Sequence, residues 1–141
     1  MCAIGCLPWL ALPAASAAEF RSVAEPAAIL YDAPSTRASK ILILSGGYPV
    51  EVVVNIEGWI KVRDDHGALA WAESSSLSAK RMALARGALD LRESADDGAK
   101  ITFRIEAGVA LELIEQSGAW AKLRHRDGAL GYARITAFWG L

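Results

Sequence analysis

GWIKVRDDHGALAWA, Gly58 to Ala72, and AWAKLRHRDGALGYA, Ala119 to Ala133, are two versions of one segment and align without a gap. Trp59 falls on Trp120 and Trp71 on Tyr132, both at an offset of 61, and Gly67-Ala68-Leu69 returns as Gly128-Ala129-Leu130. A repeat of this kind decides the architecture before any single element does. Outward from it, Gly47 matches Gly108 and Val50-Glu51-Val52 matches Leu111-Glu112-Leu113. Further upstream a one-residue gap pairs Ala38 through Lys40 with Gly98 through Lys100.

Each copy is patterned for short strands. Val50, Val52, Val54 and Ile56 alternate with Glu51, Val53 and Asn55, a period of two in β-branched residues that predicts a strand with one buried face. Its counterpart is Val109 to Glu115. Glu57-Gly58 and Ser117-Gly118 supply tight turns, and Asp64-Asp65-His66-Gly67 and Arg126-Asp127-Gly128 close the next hairpin. Further strands are expected near Ile29 to Tyr31, Lys40 to Leu44, Leu89 to Arg92 and Lys100 to Ile105, about five to each copy. The expected fold is all-β, two tandem small barrels over residues 19–77 and 82–141, with a linker at 78–81. A domain of ~60 residues buries only ~60% of its unfolded surface, so the two barrels are expected to dock on each other.

The chain has 141 residues, 53% of them hydrophobic and 22% charged, which excludes disorder for most of it. Lys plus Arg is 15 and Asp plus Glu is 16, a net charge of −1 that gives no field for nucleic acid or an anionic membrane. Up to Lys80 there are 6 basic and 8 acidic side chains, and from Arg81 onward 9 and 8. Even the more basic half is too nearly neutral for a groove that tracks phosphates, so no nucleic-acid partner is expected.

Residues 1–18, MCAIGCLPWLALPAASAA, carry no charge and end in Ala15-Ser16-Ala17, the A-x-A pattern of a cleaved signal peptide. Secretory leaders begin with Lys or Arg, and none precedes Arg21; a start upstream of Met1 would account for it. An apolar stretch this short, broken by Pro8 and Pro13, does not suit a membrane span, and none is expected in the mature chain. Both cysteines, Cys2 and Cys6, lie in the leader, which leaves the mature chain without disulfides or thiolate sites. Ala3-Ile4-Gly5-Cys6 is a loose lipoprotein-type box, but its apolar run follows the cysteine instead of preceding it. The expected location is exported, periplasmic or extracellular.

A Leu-Asp-Leu-Arg start at Leu89 to Arg92, Gly108 before an apolar strand, W-x-K-[VL]-R and then D-G-x-x-G-[WY] resemble the bacterial SH3-like (SH3b) domain. The resemblance covers both copies, making them two tandem SH3-like barrels. The second copy is the better match, closing on Gly131-Tyr132, whereas the first has Leu30-Tyr31-Asp32-Ala33 at its start and Ala70-Trp71 at its close. The resemblance implies a secreted, non-catalytic module that binds peptidoglycan or another cell-envelope ligand, glycan or peptide. An envelope protein partner, met by strand addition, is the alternative. No enzyme activity and no cofactor is expected, and the pattern sets no oligomeric state.

In GWIKVR, Ile60 and Val62 face one way and Trp59, Lys61 and Arg63 the other. If the aliphatic pair faces the core, the Trp and two cations form an outward comb, repeated by Trp120, Lys122 and Arg124. A Trp face can stack a sugar or peptide while the cations meet carboxylates. The alternative is that each Trp covers an open barrel end or the interface between copies. Tyr31 and Tyr48, near the groove loops, are further candidates for ligand contact. Trp71 and Tyr132, beside small residues after the glycine hairpin, are expected to pack structurally. Phe138, Trp139 and Leu141 are expected to tie the C-terminus down.

Catalysis has little to stand on. His66 and His125 lack a second ligand at zinc-site spacing, and Ser45-Gly46-Gly47 and Ser74-Ser75-Ser76 lack a nucleophile elbow. Asp64-Asp65 and Asp96-Asp97 are expected to be solvated turn neighbours that point apart, unlike a facing glycosidase pair.

Overall fold

In the computed structural model, which describes residues 17–141, the first copy forms β1 (Phe20–Val23), β2 (Ala27–Tyr31), β3 (Lys40–Ser45), β4 (Pro49–Ile56), β5 (Trp59–Arg63), β6 (Leu69–Glu73) and β7 (Leu77–Ser78). The second forms β8 (Met82–Ala85), β9 (Leu89–Arg92), β10 (Ile101–Ile105), β11 (Ala110–Ser117), β12 (Trp120–Arg124), β13 (Leu130–Arg134) and β14 (Phe138–Trp139). Two short 3-10 turns, Ser74–Ser76 and Ile135–Ala137, are the helical content among the described residues. The leader expected over residues 1–18, with both cysteines, lies outside the described residues but for its last two. No helix among the described residues is long and apolar enough to cross a membrane.

The strands make two antiparallel sheets of the same order, β3-β2-β6-β5-β4-β1-β7 and β10-β9-β13-β12-β11-β8-β14. At ~4.8 Å per strand a flat seven-stranded sheet would be about 29 Å wide, too wide for one cluster of side chains. Yet Val23, Leu30, Leu44, Val50, Ile60 and Ala72, from six different strands, share a single core. Each sheet is therefore curled on its own apolar face. The second is filled by Ala83, Leu91, Ile105, Leu111, Leu123 and Phe138. The hairpins β4–β5 and β11–β12 turn at Gly58 and Gly118, whose φ of +78° and +58° are open to glycine and strained for other residues.

Seven strands per copy exceed the five expected. The additional ones are the short terminal pieces β1, β7, β8 and β14, too brief to show an alternation of their own. The expected buried face of Val50, Val52, Val54 and Ile56 also ends early, with Val54 40% and Ile56 44% exposed. A register shift between Val52 and Val54 carries the far end of the strand off the core, and β11 does the same between Leu113 and Glu115.

β8 reads Met-Ala-Leu-Ala and is buried at all four positions. Ala83 and Ala85 enter the second core, so Met82 and Leu84 take the opposite face. Nearby, residues of the first copy touch the linker and the second copy. The Ser22 hydroxyl, on a residue 1% exposed, donates to the Lys80 carbonyl at 2.7 Å. Phe20 meets Trp139 edge-on at 5.2 Å, and Arg81, over the Phe20 ring, donates to the Gly140 carbonyl at 3.2 Å.

Candidate ligand surface

Strand alternation places the two combs as expected. Ile60 and Val62 are buried while Trp59, Lys61 and Arg63 are half-buried on the opposite face; Ala121 and Leu123 are buried beneath Trp120, Lys122 and Arg124. The neighbouring strand completes each face. Lys61 lies opposite Trp71 and Trp59 opposite Glu73; Lys122 lies opposite Tyr132 and Trp120 opposite Arg134.

The lysines and arginines then diverge. Arg63 donates to Glu51 at 3.1 Å, and Arg124 donates to Glu112 at 2.8 and 3.1 Å, so both arginines are ion-paired across the sheet. The Arg124 hydrogen bonds and the nearby Lys80 ammonium hold the Glu112 carboxyl below its usual range against a smaller opposing effect of burial. Lys61 and Lys122 make no ion pair among the described residues and stand 6.0 Å from the ring centres of Trp71 and Tyr132. A cation beside an aromatic face, its charge uncommitted to a carboxylate, can meet an acidic group while the ring takes the apolar part of the same ligand.

Tyr31, opposite Trp71, joins the first face but is only 7% exposed, with its ring edge-on to Trp59 at 5.6 Å. It supports Trp59 from behind. Tyr48 stands elsewhere, packed against the first core with its hydroxyl donating to Asp65. In the second copy the position opposite Tyr132 is held by Arg92, and Arg134 stacks over Trp120 at 4.7 Å. Arg134 also bonds Asp97 at 2.6 Å, which lowers the Asp97 carboxyl and raises the Arg134 guanidinium from their usual ranges. Trp120, Lys122, Tyr132, Ala95, Glu115 and Ser117 line a shallow cavity of about 80 Å³.

Trp71 and Tyr132, expected to pack structurally, are half-buried on the outward face beside the lysines instead of beneath the barrel. The signal was in Ala70-Trp71-Ala72 and Gly131-Tyr132-Ala133. The small residues are buried in both triplets, and alternation turns the ring between them outward.

The expected solvated pair Asp64-Asp65 is half corrected. Asp64 is 8% exposed because its Oδ1 accepts the backbone N–H groups of His66 and Ala68 at 3.0 and 2.7 Å. One ligand atom from each of Asp64, Asp65 and His66 lies within 4.8 Å of the others. Those atoms are engaged in holding the turn, with Asp65 also 3.0 Å from His66 Nδ1.

The family profile described as the bacterial SH3 domain matches the chain twice, at residues 24–79 and 86–140. No curated protein matches it. The solved structures similar to it include NlpC2 from Trichomonas vaginalis, at 14% identity and a TM-score of 0.40 over 87% of this chain and 48% of that one, and NlpC1 from the same organism, at 15% and 0.41 over 95% and 50%. The chain spans about half the length of either.

Proposed function

The chain belongs to the bacterial SH3 domain family in two tandem copies, and on that premise we propose that it is an exported, non-catalytic module that holds a cell-envelope ligand, peptidoglycan or peptide. The binding faces in this reading are Trp59, Lys61 and Trp71 on the first copy and Trp120, Lys122 and Tyr132 on the second. Arg63 and Arg124 flank them, and Tyr31 stiffens the first. The two copies, over 19–77 and 82–141 with 78–81 between, act as one docked body.

One observation carries the reading. The same triad of an indole, an ammonium without an ion pair among the described residues and a second aromatic ring stands outward on both copies, although the residues between them differ. Lysine beside two rings suits a ligand that combines sugar or alkyl surface with carboxylates. Co-sedimentation of residues 19–141 with purified peptidoglycan tests it, beside Trp59→Ala and Trp120→Ala checked for folding by circular dichroism. The parent is expected in the pellet and each folded variant at reduced yield. A parent that stays in the supernatant sinks the cell-wall reading.

A second reading, binding of an envelope protein, is favoured by edge strand β3. Its Ile41 and Ile43 are 51% and 69% exposed beside unpaired backbone groups, a template for an added strand. Retention on immobilised envelope proteins that Ile43→Lys abolishes would support this reading over the first.

A further inference from the structure

We infer that the two faces divide the ligand between them, the second copy taking its carboxylates and the first its uncharged surface. The inference rests on the envelope-polymer reading above and gives each face its own chemistry. The strand registers set the outward residues in rows. Across β4, β5, β6 and β2 one row of the first copy reads Val54, Lys61, Trp71, Tyr31; the next, across β4, β5 and β6, reads Ile56, Trp59, Glu73. Across β11, β12, β13 and β9 the second copy reads Glu115, Lys122, Tyr132, Arg92, and then Ser117, Trp120, Arg134. Every one of these residues lies 61 positions beyond its counterpart, so sequence and register agree.

The triad is common to both copies, and the positions around it are exchanged. Val54 gives way to Glu115, Ile56 to Ser117, Tyr31 to Arg92 and Glu73 to Arg134. The rows of the first face are therefore rings and aliphatic surface, Val54 40% and Ile56 44% exposed, with one cation, Lys61, and one carboxylate, Glu73. Those of the second carry three cations, Lys122, Arg92 and Arg134, around two rings, against the one carboxylate Glu115. Arg63 and Arg124, which flank the rows, are taken up alike by Glu51 and Glu112.

Two of the three cations are open to a ligand. Arg134 is held by Asp97, from the β9–β10 loop, at 2.6 Å. Arg92 and Lys122 make no ion pair among the described residues, and Arg92 donates one N–H to the Ala99 carbonyl at 2.8 Å. They stand on either side of Tyr132 in one row, so their Cα atoms are about 10 Å apart, a span that two long side chains close. A guanidinium and an ammonium beside one ring can hold a carboxylate between them while the ring covers the carbon chain that carries it. At the same place on the first copy Trp71 stands between Lys61 and Tyr31, so a ring replaces the second cation. Tyr31 meets Trp59 edge-on at 5.6 Å, and Glu73, opposite Trp59, repels an incoming carboxylate. What the first face offers is indole surface on which an uncharged sugar or alkyl group stacks.

The test measures binding of the full chain and its variants to purified peptidoglycan and to the same material with its carboxyls converted to amides by carbodiimide and methylamine. Arg92→Gln and Lys61→Gln each remove one positive charge and keep a hydrogen-bond donor, so they differ in place and not in net charge. The parent is expected to bind the native polymer about tenfold more tightly than the amidated one. Arg92→Gln is expected to cut that preference to about threefold or less, and Lys122→Gln to do the same without touching the Ala99 bond. Lys61→Gln and Trp59→Ala are expected to weaken binding of both forms and to leave the preference within about twofold of the parent's. A parent that binds both forms equally overturns the inference while the envelope reading stands. So does a preference that Lys61→Gln lowers as much as Arg92→Gln and Lys122→Gln do. A parent that binds neither form overturns the envelope reading and the inference together.

Discussion

Lys61 and Lys122 occupy their places because two rules act on one strand. Alternation turns them outward with the Trp two residues before, and the antiparallel register sets an aromatic ring opposite. Lys61→Ala with Lys122→Ala is expected to cut retention on peptidoglycan several-fold while the unfolding midpoint stays within a degree or two, since neither ammonium holds the fold together. Acid acts elsewhere. Arg124 and Lys80 lower the Glu112 carboxyl, and Arg104, Arg134 and the Ala129 backbone N–H lower Asp90, Asp97 and Asp127. A carboxyl lowered in the fold adds stability that is complete above its unfolded value, near pH 4, and is lost as the pH falls through the folded one. The second copy should therefore lose stability below about pH 4, and Glu112→Gln should weaken it at pH 7 while flattening that acid response; melts from pH 7 to pH 2.5 check both. The outward comb was legible in the sequence because period two needs no tertiary information. That Glu51 and Glu112 would take up Arg63 and Arg124 was not, because it depends on cross-strand register.

The hairpin strands β4–β5 and β11–β12 fall where alternation and the Gly turns place them, whereas β4 and β11 leave the core halfway along. A bulge is one residue inserted in one strand of a pair, and the sequence of that strand alone does not mark it. Packing beneath β13 gives a sharper test. A methyl on Gly131 would sit 2.6 Å from Leu91 Cβ and 3.1 Å from both Phe103 and Thr102. The first copy has Ala70 at the matching position, where Leu42 stands opposite Leu30 as Phe103 stands opposite Leu91. The nearest neighbour is a leucine in both copies, so the exchange of Phe for Leu relieves one of the two longer contacts. Gly131→Ala is expected to cost about 1–3 kcal/mol by urea denaturation, and Phe103→Leu in the same chain to recover part of it. Equal destabilisation with and without Phe103→Leu would contradict this account of why the closing motifs differ.

Two copies of some 60 residues, without a described disulfide or metal, each enclose a small core, and in the docking proposed above a seam adds Met82, Leu84, Phe20 and Trp139 to what folding buries. The chain should therefore unfold in one calorimetric transition. Trp139→Ala, which removes the ring against Phe20, should split that transition or broaden it visibly, while an unaltered single peak would show that the seam does not couple the copies. The repeat raised docking of the copies as an expectation, but contacts such as that of Phe20 with Trp139 were not legible in the sequence, because β1, β8 and β14 are too short to be read as strands. Across the molecule, the proposed function requires both copies to present the same aromatic and lysine face to an envelope polymer. A binding isotherm on purified peptidoglycan for the parent and for Trp59→Ala with Trp120→Ala measures it most directly. The account predicts saturable binding by the parent and at least tenfold weaker binding by the folded double variant; equal binding by the two, or none by the parent, would contradict it.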